Sequence, residues 1–570
     1  MISRRTFLTA SALASVLPLA SCKDSLDSMT ERPNVVVIVL DDVGFSDLGP
    51  YGSEIRTPAI DQLAREGVRF NRFDTKAICS PTRAALLTGC NPQTVQMADL
   101  PGLAPNPSDT RKDRGELPEN ARTLAQVLHD AGYATMALGK WHLAPGNENG
   151  QPGHNKSWPL QRGFDRFYGF ISGWTDQYHP DLVDGNTALP RPNVPGYHLS
   201  VDLVDHAIRD IDDVTAATPD KPFFTYLAFG AAHSPLQVPR AYIDRYAGVY
   251  EKGWDVLRAE RFARMQSMGL IPSGTKLPAP NTGDRSWSSL SEDEQIVFAR
   301  FMATYAGYIE HTDEQIGRLI RHLKDTRLYD NTLLIVLSDN GAAPEAGQTG
   351  SFEHLYVPNT LTPQQMRNRL DELGTDKTQS QYQRPWAMLG DTPFRRYKLW
   401  PHAGGVRTPL IISWPGHVTN PGSVRQQYLD VIDLAPTIAE LAGTTFPTTV
   451  NGTAQVPVAG RSIRAALRDP NAPGRDVQFF DLRGNRGITS GTWKALAIHQ
   501  VGQDFSTDRW ELFDLANDYA ESTNVAARYP QKLEELKALW ANEAARFSNP
   551  PLMEFSAFNA YDDELLDPTD

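Results

Sequence analysis

Five stretches of the chain are apolar almost without interruption: 34–40, 133–138, 222–229, 331–337 and 409–414. Runs of this length, rich in Val, Ile and Leu and without polar alternation, predict strands buried on both faces, as in a parallel sheet covered by helices. Between them the apolar positions recur at helical spacing. Residues 57–67 and 123–131 predict short crossover helices, and 291–323 predicts a long one. In the long one Ser291 and Glu294 have capping-box spacing, and Phe298, Met302, Tyr305, Ile309, Ile316, Leu319 and Leu323 form one stripe. Strand–helix alternation of this kind predicts an α/β fold built on a doubly wound, mainly parallel sheet flanked by helices. From about Val477 the texture changes: 477–482, 493–499 and 510–515 predict short strands and 530–547 a helix, a smaller antiparallel α+β unit. Segments 178–200, 250–289 and 342–384 are rich in Pro, Gly and polar residues and predict long loops of the kind that frame a pocket.

Each buried run ends in chemistry. The first is followed by Asp41-Asp42 and a glycine turn, and the fourth by Ser338-Asp339-Asn340-Gly341. Ligands of open α/β sheets sit beyond the carboxyl ends of the strands. Adjacent acids there repel unless a cation or a cluster of donors neutralises them. Asp41, Asp42, Asp339 and Asn340 make an all-oxygen set, suited to a hard cation such as Ca²⁺ or, less well, Mg²⁺. No Cys/His cluster with zinc spacing accompanies them. The second run ends at Gly139-Lys140-Trp141-His142 and the third near His233, each a cation or a titratable imidazole. Cys79-Ser-Pro-Thr-Arg83-Ala-Ala-Leu-Leu-Thr-Gly89 reads as a helix with Pro81 in its first turn, so Cys79 faces free N–H groups and the positive end of the dipole, with Arg83 one turn inside. Taken alone, it could equally be a buried structural cysteine at a helix cap.

Composition changes this picture in three places. At 570 residues the chain exceeds what one core fills, which predicts a large domain plus a small one. A net charge of −13 disfavours nucleic acid as a partner and means that any anionic substrate must be drawn by a local cationic site. Three cysteines, Cys22, Cys79 and Cys90, are no disulfide framework; Cys90, after Gly89, reads as packing. The N-terminus reads as an address. Ser3-Arg4-Arg5-Thr6-Phe7-Leu8 resembles a twin-arginine export signal, and Leu19-Ala20-Ser21-Cys22 resembles a lipobox that would make Cys22 the lipidated terminus. These predict export through the twin-arginine machinery to the bacterial periplasm or cell envelope, with contact to the membrane only through that anchor. A plain cleaved signal is the simpler alternative.

Taken together, the motifs resemble those of the formylglycine-dependent (type I) sulfatases, most closely the bacterial arylsulfatases. The run from Cys79 to Gly89 is similar to the family's modification signature, and Gly132-Tyr-x-Thr-x-x-Leu-Gly-Lys140-Trp-His142 to its second, with Leu138 where a smaller or β-branched residue is commoner. Arg162-Gly-Phe-Asp165, Asp339-Asn340-Gly341, Thr392-Pro-Phe-Arg-Arg-Tyr-Lys398, Gly404-Gly-Val-Arg407 and Trp510-Glu-Leu-Phe-Asp-Leu fit as well; His402-Ala403-Gly404-Gly405 departs from the commoner His-Glu-Gly-Gly. The resemblance implies an alkaline-phosphatase-like fold divided into an export signal (1–21), a linker from Cys22 (22–31), a catalytic domain (32–470), a C-terminal sheet and helix (471–550) and an acidic tail (551–570). It implies that a formylglycine-generating enzyme converts Cys79 to 3-oxoalanine, whose hydrate attacks sulfur, while Asp41, Asp42, Asp339, Asn340 and position 79 hold Ca²⁺. Lys140 and Lys398 then bind the sulfate with His233, which with Lys398 protonates the leaving oxygen. Asp339 takes the attacking hydroxyl's proton, His142 that of the second hydroxyl, and Arg83 orients the hydrate. The implied activity is hydrolysis of sulfate monoesters, aryl sulfates first, whether small molecules or glycans. Two rivals stay open: a phosphodiester or phosphonate monoester hydrolase on the same scaffold, and a surface lipoprotein that binds sulfated glycans without turnover.

Overall fold

A computed structural model describes residues 32–101, 115–145, 155–353, 359–500 and 502–547. The export signal, the linker with Cys22 and the acidic tail lie outside them. Ten strands form one sheet: β1 (Asn34–Leu40), β2 (Val68–Phe70), β3 (Ala134–Lys140), β4 (Arg166–Phe170), β5 (Val183–Asp184), β6 (Thr187–Ala188), β7 (Phe223–Ala228), β8 (Thr332–Ser338), β9 (Leu410–Ser413) and β10 (Val424–Arg425). Their order is β10-β2-β9-β8-β1-β7-β3-β4-β5-β6. The central run from β8 to β4 is parallel, and β9 joins it antiparallel. Val36, Ile38 and Leu40 of β1 enter the core on one face, and Val35, Val37 and Val39 the core on the other. This two-sided burial is why the strand shows no polar alternation.

Helices cover both faces: α1 (Pro58–Glu66), α2 (Cys79–Thr88), α3 (Leu124–Asp130), α4 (Leu199–Ala217), α5 (Trp254–Ser267), α6 (Glu292–Asp325) and α7 (Leu434–Leu441). The capping box of α6 forms as its sequence predicts: Ser291 Oγ accepts the Glu294 N–H, and Glu294 reaches back to the Ser291 N–H at 2.7 Å. Helix α1 has no side-chain cap of its own; Asp313 of α6 supplies one by accepting the N–H groups of Ala59 and Ile60 at 3.0 and 2.8 Å. Burial pushes the Asp313 carboxyl up to about 7 despite those two bonds.

All three expected loops hold regular elements, the third, 342–384, a short helix at Pro363–Arg367. The first, 178–200, holds the β5–β6 hairpin and runs into α4, whose Leu199, Leu203, Val204, Ala207 and Ile211 are buried. The second, 250–289, contains α5. Its inward face carries Arg258 and Arg261, so its sequence reads as polar although the helix is packed.

The last unit has four antiparallel strands, β11 (Val477–Leu482), β12 (Asn485–Ser490), β13 (Trp493–Ala497) and β14 (Trp510–Asp514), in sequential order. Helix α8 (Pro530–Phe547) closes it with Leu536, Trp540 and Ala544 against Phe479, Ile488, Ala495 and Leu512. It braces the segment that bears Lys398: Lys494 pairs with Glu521 at 2.7 Å, and Glu521 accepts the Ala403 N–H at 2.9 Å.

Candidate active site

The carboxyl ends of four parallel strands converge. Beyond β1 stand Asp41 and Asp42, beyond β8 Asp339 and Asn340, at the end of β3 Lys140 with His142 two residues on, and beyond β7 His233. Helix α2 aims its first residue, Cys79, at the same place, and the segment after α5 and α6 brings Lys398. Asp42 and His142 hold left-handed backbone, with φ of 58° and 55°. Such a residue costs about 1–2 kcal/mol and persists only where its surroundings fix it. Here the Asp42 N–H donates to Asp339 Oδ1 at 3.3 Å and the Tyr305 hydroxyl to the Asp42 carbonyl at 3.2 Å. The His142 imidazole lies against Gly173, where a Cβ would stand 2.5 Å from Cε1; only glycine leaves room for the ring.

Ligand atoms of Asp41, Cys79 and Asp339 all lie within 4.8 Å of one another. Around them the charges alternate. Lys140 Nζ stands 2.7 Å from Asp41 Oδ2, and Arg83 donates to Asp339 Oδ2 at 2.7 and 3.1 Å. Lys398 Nζ is 3.0 Å from Asp42 and 2.7 Å from Glu345. Asp42 stands beside the three-residue group: it accepts the Asn340 amide at 2.6 Å, and His233 Nε2 lies 3.6 Å away. Three oxygens of these residues are left bare, Asp41 Oδ1, Asn340 Oδ1 and Glu345 Oε2, all buried and without a hydrogen-bond partner. Unpaired buried acceptors of this kind cost free energy unless something fills the space between them.

The titrations follow from this crowding. Burial pushes the Asp41 carboxyl well above its ordinary range; Lys140 opposes the rise, and Asp339 adds to it. Burial works the same way on Asp42, but Lys398 and His233 outweigh it and hold that carboxyl at about 2. Burial raises the Cys79 thiol to about 11 in spite of Lys140 and Lys398. Burial, seconded by Lys140 and Arg83, drives His142 well below the usual imidazole range, and burial takes His233 to about 3 although Asp42 pulls upward. Both imidazoles are therefore neutral at rest.

A family model described as sulfatase matches residues 33–444. The chain belongs to the sulfatase family. It is a sulfuric ester hydrolase with the alkaline-phosphatase-like fold. A second model, for the C-terminal part of N-sulphoglucosamine sulphohydrolase, matches residues 396–543. An uncharacterized sulfatase of Schizosaccharomyces pombe is 34% identical over 535 residues, covering 90% of this chain and 93% of its own. The arylsulfatase of Klebsiella aerogenes is 34% identical over 451 residues, covering 76% and 91%. The crystal structure of Ps i-CgsB in complex with k-i-k-neocarrahexaose is similar in fold, with a TM-score of 0.62 at 23% identity over 93% of this chain and 97% of that one.

The residues predicted to act at the site, Asp41, Asp42, Cys79, Arg83, Lys140, His142, His233, Asp339, Asn340 and Lys398, meet here in this sulfatase, whereas His402 faces Glu511 and Trp510 belongs to β14 of the C-terminal unit. Cys90 sits past the far end of α2 with its thiol toward the carbonyls of Thr88 and Pro457, as a packing residue does. Three contributors, Tyr226, Gly173 and Glu345, had no motif to mark them, and a fourth, Ser80, stood inside the Cys79 signature with no role given to it. The Tyr226 hydroxyl lies 3.4 Å from Arg83, Ser80 Oγ donates to the His142 carbonyl at 2.8 Å, Gly173 seats the His142 ring, and Glu345 holds Lys398. Glu345 alone had a signal: it follows Asn340 by five residues.

Proposed function

We propose that this sulfatase hydrolyses sulfate monoesters, aryl sulfates before alkyl or glycan esters, with a formylglycine made from Cys79 and a Ca²⁺ held by Asp41, Asp42, Asp339, Asn340 and position 79. The convergence of the Asp41, Cys79 and Asp339 ligand atoms within 4.8 Å, under three cationic side chains, carries this reading. The donor set fits the ion: Asp41 Oδ1 and Asn340 Oδ1 are bare oxygens, and a hard cation seeks such ligands. Mg²⁺ fits less well, since it usually keeps several waters and binds through one or two carboxylates, whereas several protein oxygens converge here. Charge fits too. Once a cation displaces the proton that burial favours on Asp41, four carboxylates, Asp41, Asp42, Asp339 and Glu345, face Arg83, Lys140 and Lys398, and a divalent ion leaves the centre net positive and able to attract an anion. When bound, the ion polarises a sulfate oxygen, and the hydrated aldehyde supplies the attacking hydroxyl.

The protein's own groups do the rest. Burial raises the Cys79 thiol to about 11, so near neutral pH it is a weak nucleophile, and the hydrate made by modification would offer a hydroxyl in its place. Arg83, fully buried and fixed on Asp339, orients the group at position 79. Asp339 Oδ1, the oxygen Arg83 does not use, takes the attacking hydroxyl's proton. Lys140 and Lys398 offer ammonium protons to oxygens that gain charge during transfer. His233 with Lys398 delivers a proton to the departing oxygen; neutral at rest, this imidazole gains its proton more readily once the sulfate anion is bound beside it. His142, kept neutral by burial and two cations, is a ready base for the second hydroxyl. Similarity to the Klebsiella arylsulfatase favours a phenol as leaving group.

The test combines mass spectrometry of the Cys79 peptide, from protein made together with a formylglycine-generating enzyme, with turnover of nitrophenyl sulfate and of an aryl phosphate diester. Aldehyde at position 79 and faster sulfate turnover, abolished by a chelator, support the reading. Faster diester turnover makes the protein a phosphoester hydrolase, and glycan binding without turnover makes it a binding protein. Twin-arginine export and lipidation at Cys22, in the periplasm or envelope, belong to the same proposal. Labelled lipid that enters the wild type and not Cys22→Ala supports it.

A further inference from the structure

Lys398 is the most mobile group asked to act on the leaving oxygen, since its charge rides on a four-carbon stem. Its backbone is well fixed: the Lys398 N–H donates to the Ala342 carbonyl at 3.1 Å and the Leu399 N–H to the Ala77 carbonyl at 2.8 Å. The ammonium depends on side chains alone. Of its three N–H donors, one goes to Asp42 at 3.0 Å and one to Glu345 Oε1 at 2.7 Å. We infer that Glu345 is a positioning residue that seats the Lys398 ammonium, so that its remaining N–H faces the departing oxygen.

Three observations carry this. Glu345 lies on the segment that follows β8, five residues after Asn340, and that segment is bonded to the one bearing Lys398 through Gly341 N–H to Gly405 O, at 3.1 Å, as well as through Ala342. The carboxylate thus moves with the site and not with the surface. Its side chain is only 11% exposed, and no second cation pairs with it, so Lys398 is its single ionic partner among the described residues. Its other oxygen, Oε2, is buried without a hydrogen-bond partner, which leaves Glu345 free to take more of the ammonium whenever Asp42 is drawn to a cation. Two carboxylates on one ammonium fix its direction; one carboxylate leaves it a free rotor about the Asp42 contact.

The inference rests on the sulfate-ester reading, and the experiment separates the two. Glu345→Gln keeps the length and an acceptor and removes the charge. In the Ca²⁺-loaded, modified protein, kcat should fall on the order of tenfold with nitrophenyl sulfate, whose phenol needs the acid less, and on the order of a hundredfold with an alkyl sulfate, the lower edge of the 10²–10⁴ that a positioned acid supplies, while KM shifts less than about twofold. In a Lys398→Ala background the same substitution should cost nothing further, because the two act as one unit. Equal losses for both esters, or additive losses, overturn the inference. If the wild type turns over neither ester, the reading above fails, and the crystal structure of Glu345→Gln decides the inference alone. An ammonium that has left its seat beside Asp42 supports it, and one unchanged in place overturns it.

Discussion

One short segment, Asp41 to Asp47, feeds two buried charge clusters that differ in a single respect. At its far end Asp47 Oδ1 takes Arg261 at 2.7 Å, while Asp47 Oδ2 accepts the Gly44 N–H and the Tyr305 hydroxyl. Arg261 also grips both oxygens of Glu54, at 2.9 and 2.7 Å, and Arg264 adds a contact to Glu54 at 3.0 Å. No side-chain atom of Asp47, Glu54 or Arg261 is left buried without a partner. At its near end, Asp41 keeps one bare oxygen, Asn340 another and His142 a bare Nδ1. Burial does not separate these two clusters; completeness of bonding does. The closed cluster holds the segment still, and the open one keeps the unmet acceptors that the proposed cation would take.

Breaking the open cluster should cost activity and spare the fold. Cys79→Ala is expected to lower kcat on the order of a millionfold, the scale of losing a nucleophile, with the thermal midpoint within a few degrees of the wild type. Breaking the closed cluster should do the reverse. Arg261→Met strands Asp47 as an uncompensated buried carboxylate, leaves Glu54 with Arg264 alone, and is expected to destabilise by about 3–5 kcal/mol in denaturant unfolding. An Arg261→Met protein as stable as the wild type would erase the distinction.

Asp313 sharpens the comparison, because it is fully bonded and still raised to about 7. A carboxyl with a folded value above its unfolded one contributes stability that is complete below about 4 and lost as pH rises through about 7. Wild-type stability relative to Asp313→Asn should therefore fall by about 1 kcal/mol per pH unit across that window. A flat difference would mean that the two N–H bonds to α1 outweigh burial. The smallest effect is expected from Ser291→Ala, which opens the α6 capping box at the surface for about 1 kcal/mol, read as a lower thermal midpoint with kcat unchanged.

The sequence exposes what repeats and hides what is unique. Strands β1 and β8 were legible because burial on both faces forces unbroken apolar runs, and the site residues beside them because strand ends are where such sheets bind. Helix α5 was not legible, since its buried Arg261 satisfies itself through Glu54 and Asp47, partners about two hundred residues upstream in the chain. Tyr226 looked like any aromatic of a buried strand, and Gly173 like any loop glycine; each gains its role only from what folding brings against it. The resemblance of the Cys79 and Lys140 signatures supplied roles, while the distances among them had to come from the fold.

The most direct measurement is a crystal structure of the modified protein grown with Ca²⁺ and phased to show the ion. The account predicts anomalous density at about 2.3–2.6 Å from oxygens of Asp41, Asp42, Asp339 and Asn340, with position 79 turned toward it. An ion found elsewhere, or a position 79 that points away from the acids, would contradict it.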